Sequence, residues 1–222
     1  MRLRVEIPSK ITPQAAVELQ KKLAPLVRET SELPSKIENL VGCDATYFRG
    51  LTLAAATQVD YEELTLKKSR SVLEPTVFPY IPGLLAFREA PSVLKAIRSL
   101  NVNSYVCLVD AHGIAHPRKF GLACFVGLAL DRPTIGVGKS LLCGRVEGNH
   151  ILDEDKYPIA EIVTLPKSGK DIYVSIGHKI SLKDAVEVVK HCSNQQGPVP
   201  LNLAHQVVSK QRCLIEESNQ VS

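Results

Sequence analysis

The spacing of apolar and polar positions along the chain predicts most of its elements. From Ile11 to Arg28, apolar residues at Ala15, Ala16, Leu19, Leu23 and Val27 keep a helical period. After a polar stretch through Pro34 come three strand-like runs, Ile37–Tyr47, Leu51–Val59 and Tyr61–Leu73. Phe48-Arg49-Gly50 and the Asp60 region read as tight connections, which predicts an antiparallel meander. Ser92–Leu100 is helical. Ser104–Asp110 (SYVCLVD) is nearly all apolar, as a central strand covered on both faces must be. Lys119–Leu130 reads as a buried helix whose small residues allow close packing. Thr134–Val137 and Asp171–Ile176 read as strands. Ser181–Cys192 is a helix with Ser181 as N-cap, and Leu201–Glu217 is a terminal helix. Glu147–Lys170, rich in charge, Gly and Pro, reads as surface loops. A meander followed by alternating helices and strands, without a break, predicts one mixed α/β domain over residues 1–222.

Three acids break this apolar pattern. Asp44 interrupts the strand LVGCDATYF, where a bare buried carboxylate costs several kcal/mol unless it is paired, hydrogen-bonded or on metal. The competing reading is a strand edge with Asp44 in solvent. Asp110 closes SYVCLVD, at the carboxyl end of a central strand, where α/β sheets bind ligands. The competing reading is an N-cap or Asx turn at the strand exit. Glu89 ends the apolar segment Phe78–Glu89 and precedes Ala90-Pro91. The proline disfavours helix at Ala90 and predicts that Glu89 ends a short helical turn; a solvent-exposed Glu89 paired with Arg88 is the alternative. Three carboxylates on rigid elements suit divalent metal ions.

Other residues qualify the picture. IGVGKS (residues 135–140) suggests a phosphate loop, but the glycine required five residues before Gly138 is Pro133. Lys139 is left as either a cation for a phosphate or a surface lysine. Tyr80, braced by Pro79 and Pro82, reads as a base-stack wedge or a core tyrosine. His205, near the apolar face of the last helix, reads as structural or catalytic. His112 and His116 have loop rather than metal-helix spacing.

Composition narrows the setting. The chain has 222 residues, 45% hydrophobic and 23% charged, with a net charge of +4. That charge permits nucleic acid without arguing for it. Six cysteines form no CxxC pair, and most lie in apolar runs as buried thiols. MRLRVEIPSK lacks an apolar signal core, and no apolar run reaches the roughly 20 residues of a membrane span. A soluble, cytoplasmic protein is expected.

Together the segments VGCDATY, PYIPGLLAFREAP, VCLVDAHGIAHPRKFGLA, TIGVGKSLLCG and SIGHKIS, in this order and spacing, resemble the endonuclease V family, prokaryotic or archaeal type. The resemblance spans about Leu40 to Gln206. It implies a ribonuclease H-like fold, a mixed central sheet flanked by helices. It also implies a monomeric DNA-repair hydrolase that recognises deoxyinosine (hypoxanthine) in DNA. Such an enzyme cuts the second phosphodiester bond 3′ to the lesion, leaving 3′-hydroxyl and 5′-phosphate ends. Mg²⁺, with Mn²⁺ as substitute, is implied on Asp44, Asp110 and Glu89, with Lys139 and His205 completing the catalytic set. Tyr80, Ile81 and Pro82 correspond to a strand-separating wedge. Gly83, Leu85, Gly113, Gly136 and Gly138 are expected to line the base pocket. Where the family usually has Gly-His-Gly or Gly-Asn-Gly after the third acid, this chain has Ala111-His112-Gly113. The alternatives are an inosine-specific endoribonuclease, another structure-specific nuclease of the ribonuclease H class, and a non-catalytic nucleic-acid-binding protein.

Overall fold

The computed structural model describes residues 11–218; the segment MRLRVEIPSK lies outside them. The chain opens with α1 (Pro13–Leu23), capped by the Thr12 hydroxyl on the Ala15 N–H. A turn of 3-10 helix, Ala24–Leu26, ends it short of the expected Arg28 because Pro25 carries no N–H for the α-helical ladder.

The predicted meander follows as β1 (Asn39–Phe48), β2 (Leu51–Asp60) and β3 (Leu66–Pro75), each antiparallel to the next. Arg49 and Gly50 both have positive φ, 47° and 79°. That is the two-residue hairpin turn whose twist matches its strands. Then come α2 (Leu85–Leu100), β4 (Val106–Val109), α3 (Leu122–Leu130) and β5 (Thr134–Gly138). The strand β4 is wholly buried and runs parallel to both β1 and β5. In α3 every residue from Leu122 to Leu128 is buried, as its unbroken apolar sequence requires.

Residues 147–170 do not form surface loops as expected. They contribute to β6 (Arg145–Glu147), β7 (His150–Leu152) and β8 (Pro158–Thr164), which pair antiparallel onto β9 (Asp171–His178). Strands of three residues are too short to show a period, and turn-rich flanks mask them. The chain ends with α4 (Leu182–His191), a short hairpin of β10 (Ser193–Asn194) and β11 (Gly197–Pro198), and α5 (Val199–Ser218). The Ser181 hydroxyl caps α4 at the Asp184 N–H, 3.1 Å away.

One nine-stranded sheet, in the order β3-β2-β1-β4-β5-β9-β8-β7-β6, organises the whole. Helix α2 packs on β1–β3, and α5 also packs against these three strands. This is the mixed, ribonuclease H-like sheet that the resemblance implies. Among the described residues no helix is long and apolar enough to cross a membrane. Cys43, Cys107, Cys124 and Cys192 are buried free thiols.

Candidate nuclease site

Strand register brings the first two acids together. In the parallel pair β1–β4, Cys43 lies opposite Val109. The Asp110 N–H then donates to the Cys43 carbonyl at 3.2 Å, extending the pairing by one residue. Asp44 and Asp110 are therefore neighbours at the carboxyl end of β4, where side chains in register project to the same face. Both are nearly enclosed, with 11% of each side chain exposed. Lys139, just past β5, donates to Asp110 Oδ2 at 2.5 Å. His205 Nδ1 meets Asp44 Oδ2 at 2.9 Å, and the Ala45 N–H donates to Asp44 Oδ1 at 2.8 Å. Helix α5 is set in place to deliver His205 by the Thr57 hydroxyl, which donates to the Pro200 carbonyl at 2.9 Å.

The third acid departs from expectation. Glu89 does not end a short turn; it lies inside α2, which runs on through Pro91 to Leu100. The proline costs one backbone hydrogen bond near the start of a helix that is otherwise well buried on one face, and packing outweighs that cost. Nor is Glu89 exposed and paired with Arg88. It is buried, and it accepts a hydrogen bond from the Tyr47 hydroxyl. Arg88 instead stacks over the Tyr47 ring, 4.0 Å from its centroid, and donates to the Phe78 carbonyl at 2.9 Å. Tyr47 thus joins Glu89 and Arg88, a role that nothing in its sequence surroundings signals.

The electrostatics are those of buried acids, with like charge as a smaller addition. Burial pushes Glu89 up to about 7; the Tyr47 hydrogen bond opposes this, while Asp44 and Asp110 add to it. Burial also raises Asp110, against the pull of Lys139 and with a further push from Asp44. Burial works against the Lys139 ammonium, but its hydrogen bond to Asp110 prevails and its pKa rises. The two partners therefore differ. The lysine is held charged, while a single lysine does not overcome the burial of the acid. Among the described residues no group of three or more His, Cys, Asp or Glu side chains is arranged to hold a metal ion. The acids are instead each tied to a donor, Lys139, His205 or Tyr47.

Against Asp44, Asp110 and Lys139 opens a cavity of about 410 Å³. Its other wall is Tyr80, Ile81, Pro82, Gly83 and Leu85, and Gly138 also lines it. Tyr80 is 68% exposed and so is not a core tyrosine. Gly83 has φ of +78°, a turn conformation that a side chain would strain. Ala111 lines the cavity without a positive φ, so alanine fits its backbone conformation. Gly113 and Gly136 do not line it. A Cβ on Gly113 would lie 1.9 Å from the Ile176 carbonyl oxygen, and one on Gly136 would lie 2.4 Å from the Gly113 nitrogen. They let β5, β9 and the loop after β4 pack closely beneath the pocket.

The wall is braced by Gln20, outside the motifs, and by His116 and Arg118 within VCLVDAHGIAHPRKFGLA. The Gly83 carbonyl accepts from Gln20 Nε2 at 3.0 Å and Arg118 Nη2 at 2.7 Å, with His116 Nε2 at 3.0 Å. Gln20 is wholly buried, donates also to the Phe120 carbonyl at 2.8 Å, and accepts from Arg118 Nε at 2.6 Å. Burial, with Arg118 nearby, lowers His116 to about 4, so its ring is neutral and its Nδ1 accepts the Arg118 N–H. A polar residue on the buried face of α1 was the available signal for Gln20.

The chain is similar in sequence and in fold to known proteins. The Endonuclease V family profile matches residues 21–206. Endonuclease V of Desulfurococcus amylolyticus is 41% identical over 189 residues, covering 82% of this chain and 85% of its own. The crystal structure of endonuclease V from Streptomyces avermitilis superposes with a TM-score of 0.84 at 28% identity, covering 98% of this chain and 100% of that one. The Ciona intestinalis endonuclease V, solved with a 24mer DNA containing an inosine followed by a ribo-adenosine, superposes with a TM-score of 0.82 at 26% identity. It covers 89% of this chain and 96% of that one.

Proposed function

This chain belongs to the endonuclease V family, and from that premise we propose that it recognises hypoxanthine in a DNA strand and hydrolyses the second phosphodiester bond 3′ to it. The products carry 3′-hydroxyl and 5′-phosphate ends. The observation that carries this reading is the continuity of one cavity, about 410 Å³, from Tyr80 and Gly83 to Asp44, Asp110 and Lys139. A base flipped into the Gly83 side leaves its own strand lying across the acids. The Ciona relative, crystallised on inosine-containing DNA, supports that substrate class.

Tyr80, exposed on a loop stiffened by Pro79 and Pro82, serves as the wedge that takes the place of the flipped base. Leu85 and the backbone around Gly83 and Gly138 enclose the base. Asp44 and Asp110, with Glu89 behind them, are hard oxygen donors suited to Mg²⁺, with Mn²⁺ as substitute. Burial disfavours the charged forms of Glu89 and Asp110, Lys139 alone does not offset this at Asp110, and a divalent ion fits that deficit. When bound, the cation supplies hydroxide near neutral pH and screens the phosphate. Lys139 and His205 must first release the carboxylates. Their side chains are 61% and 62% exposed, which leaves them room to do so. Released, Lys139 steadies the charge building on the scissile phosphate, and His205 offers a ring nitrogen for a proton there.

The test is one inosine-containing oligonucleotide, made as DNA and as RNA, with the cut mapped and Mg²⁺ titrated. Metal-dependent nicking of the DNA at the second bond 3′ to inosine supports the reading. Cleavage of the RNA alone replaces it with an endoribonuclease, and a cut elsewhere removes the proposed placement of the strand.

A further inference from the structure

Asp110 and Lys139 face a second cavity, of about 250 Å³. Apart from these two residues it shares no lining with the base pocket. Three elements build its rim: Lys170 from the β8–β9 turn, Gln196 and Gly197 at the β10–β11 hairpin, and Asn202 on α5 beside His205. Val137 of β5 and Ile172 of β9 also line it.

We propose that this groove holds the sugar-phosphate backbone of the nucleotides 3′ to the cut. The inference rests on the proposed function, and it follows from placement and chemistry. With the lesion in the first cavity and the cut on its 3′ side, a strand crossing Asp110 and Lys139 leaves through the second. No Phe, Tyr or Trp lines the groove, so it offers no broad ring on which successive bases stack. Beside Asp110 it presents the ammoniums of Lys139 and Lys170, two carboxamides and the His205 imidazole, which suit phosphate and sugar oxygens. None of the ion pairs among the described residues uses the Lys170 ammonium. The Asn202 amide is already oriented, since its Nδ2 donates to the Gly197 carbonyl at 3.1 Å. Recognition here is therefore independent of sequence and dependent on length.

The experiment compares hypoxanthine-containing single strands that share a 5′ portion. One ends at the first nucleotide past the cut, one continues for several nucleotides, and one continues through abasic sites. For the wild type, kcat/KM rises about tenfold on either extension, as a handful of backbone contacts provides. In Lys170→Glu the long-to-short ratio falls toward one, and in Asn202→Ala it falls part of the way. In Lys170→Ala the salt dependence of binding to the long strand drops by about 0.7 in log–log slope. A Lys170→Glu protein that keeps the full ratio overturns the groove, as does an extension that helps only when it carries bases. A wild type that cuts none of these strands overturns the inosine reading itself, and the ligand of the groove with it.

Discussion

Gln20 and Lys139 line the same cavity, and their surroundings are opposite. Gln20 is wholly buried, and its amide is engaged on both atoms by Gly83, Phe120 and Arg118. Lys139 leaves 61% of its side chain in solvent and holds one carboxylate. The Gly83 wall of the proposed base pocket is thus held by a buried amide whose oxygen and nitrogen are both engaged, which makes its loss expensive. The acid cluster is built of charge that its partners balance only in part, and those partners are exposed enough to move. A pocket that must tell one base from another needs a fixed shape. A site that must take up a cation and a phosphate needs groups that can exchange partners.

The largest effect should come from the charged end. Asp44→Ala or Asp110→Ala should lower the cleavage rate by on the order of 10³-fold, the scale of a lost charge-stabilising group, while affinity for the inosine-containing strand stays nearly wild-type. A loss of affinity equal to the loss of rate, in gel-shift and single-turnover assays, would erase the division between the two regions. Gln20→Leu should show the reverse. Stranding the Phe120 carbonyl and the Arg118 Nε–H costs about 1–3 kcal/mol, so lesion affinity should fall roughly ten- to a hundredfold, with kcat at saturating substrate changed least. If kcat falls while affinity holds, the pocket wall is not what Gln20 fixes.

Tyr80→Ala should be milder in its effect on the protein itself. Base stacking on an aromatic ring is worth about 1–3 kcal/mol, so lesion affinity drops by about tenfold. Thermal unfolding should hardly move, because the ring is 68% exposed. A lowered Tm with unchanged affinity would return Tyr80 to a structural role.

The smallest effect lies outside both regions and serves as a control. Burial, with Arg28 and Lys179 nearby, lowers His178 to about 4, and the Arg28 N–H donates to its Nδ1 at 3.2 Å. Its folded pKa lies below the ordinary value near 6.5, so the folded state binds fewer protons between the two. His178 therefore contributes its full stability above about pH 6.5 and loses it as pH falls toward 4. Urea midpoints at pH 7 and pH 5 should differ less in His178→Gln than in the wild type. An equal difference in both proteins would assign the acid sensitivity to the carboxylate cluster.

Much of the frame was legible because it depends on local periodicity. The meander, the apolar β4, the buried α3 and the capped α4 each carry their own pattern. The strands β6 and β7 were missed because three-residue strands have no period to read, and the seven-residue β8 because charged and turn-forming flanks mask it. Glu89 was placed at the end of a turn because Pro91 breaks helices locally, whereas α2 is held by its buried face. Gly113 and Gly136 were assigned to the pocket because a sequence does not distinguish a glycine that faces a ligand from one that admits a neighbouring backbone.

By itself the sequence determined the order of the elements from α1 to β5, the helices α4 and α5, and the family, and it marked the acids, the lysine and the Tyr80–Gly83 loop as candidates. All of these reside in residue types and short spacings. Only the tertiary structure decided which groups meet. The pairing of Asp44 with Asp110 comes from parallel register between strands more than 60 residues apart. Tyr47 reaches Glu89, and Gln20 reaches Gly83, across similar separations. Contacts of that kind are fixed by sheet pairing and core packing, and so no local pattern in the chain encodes them.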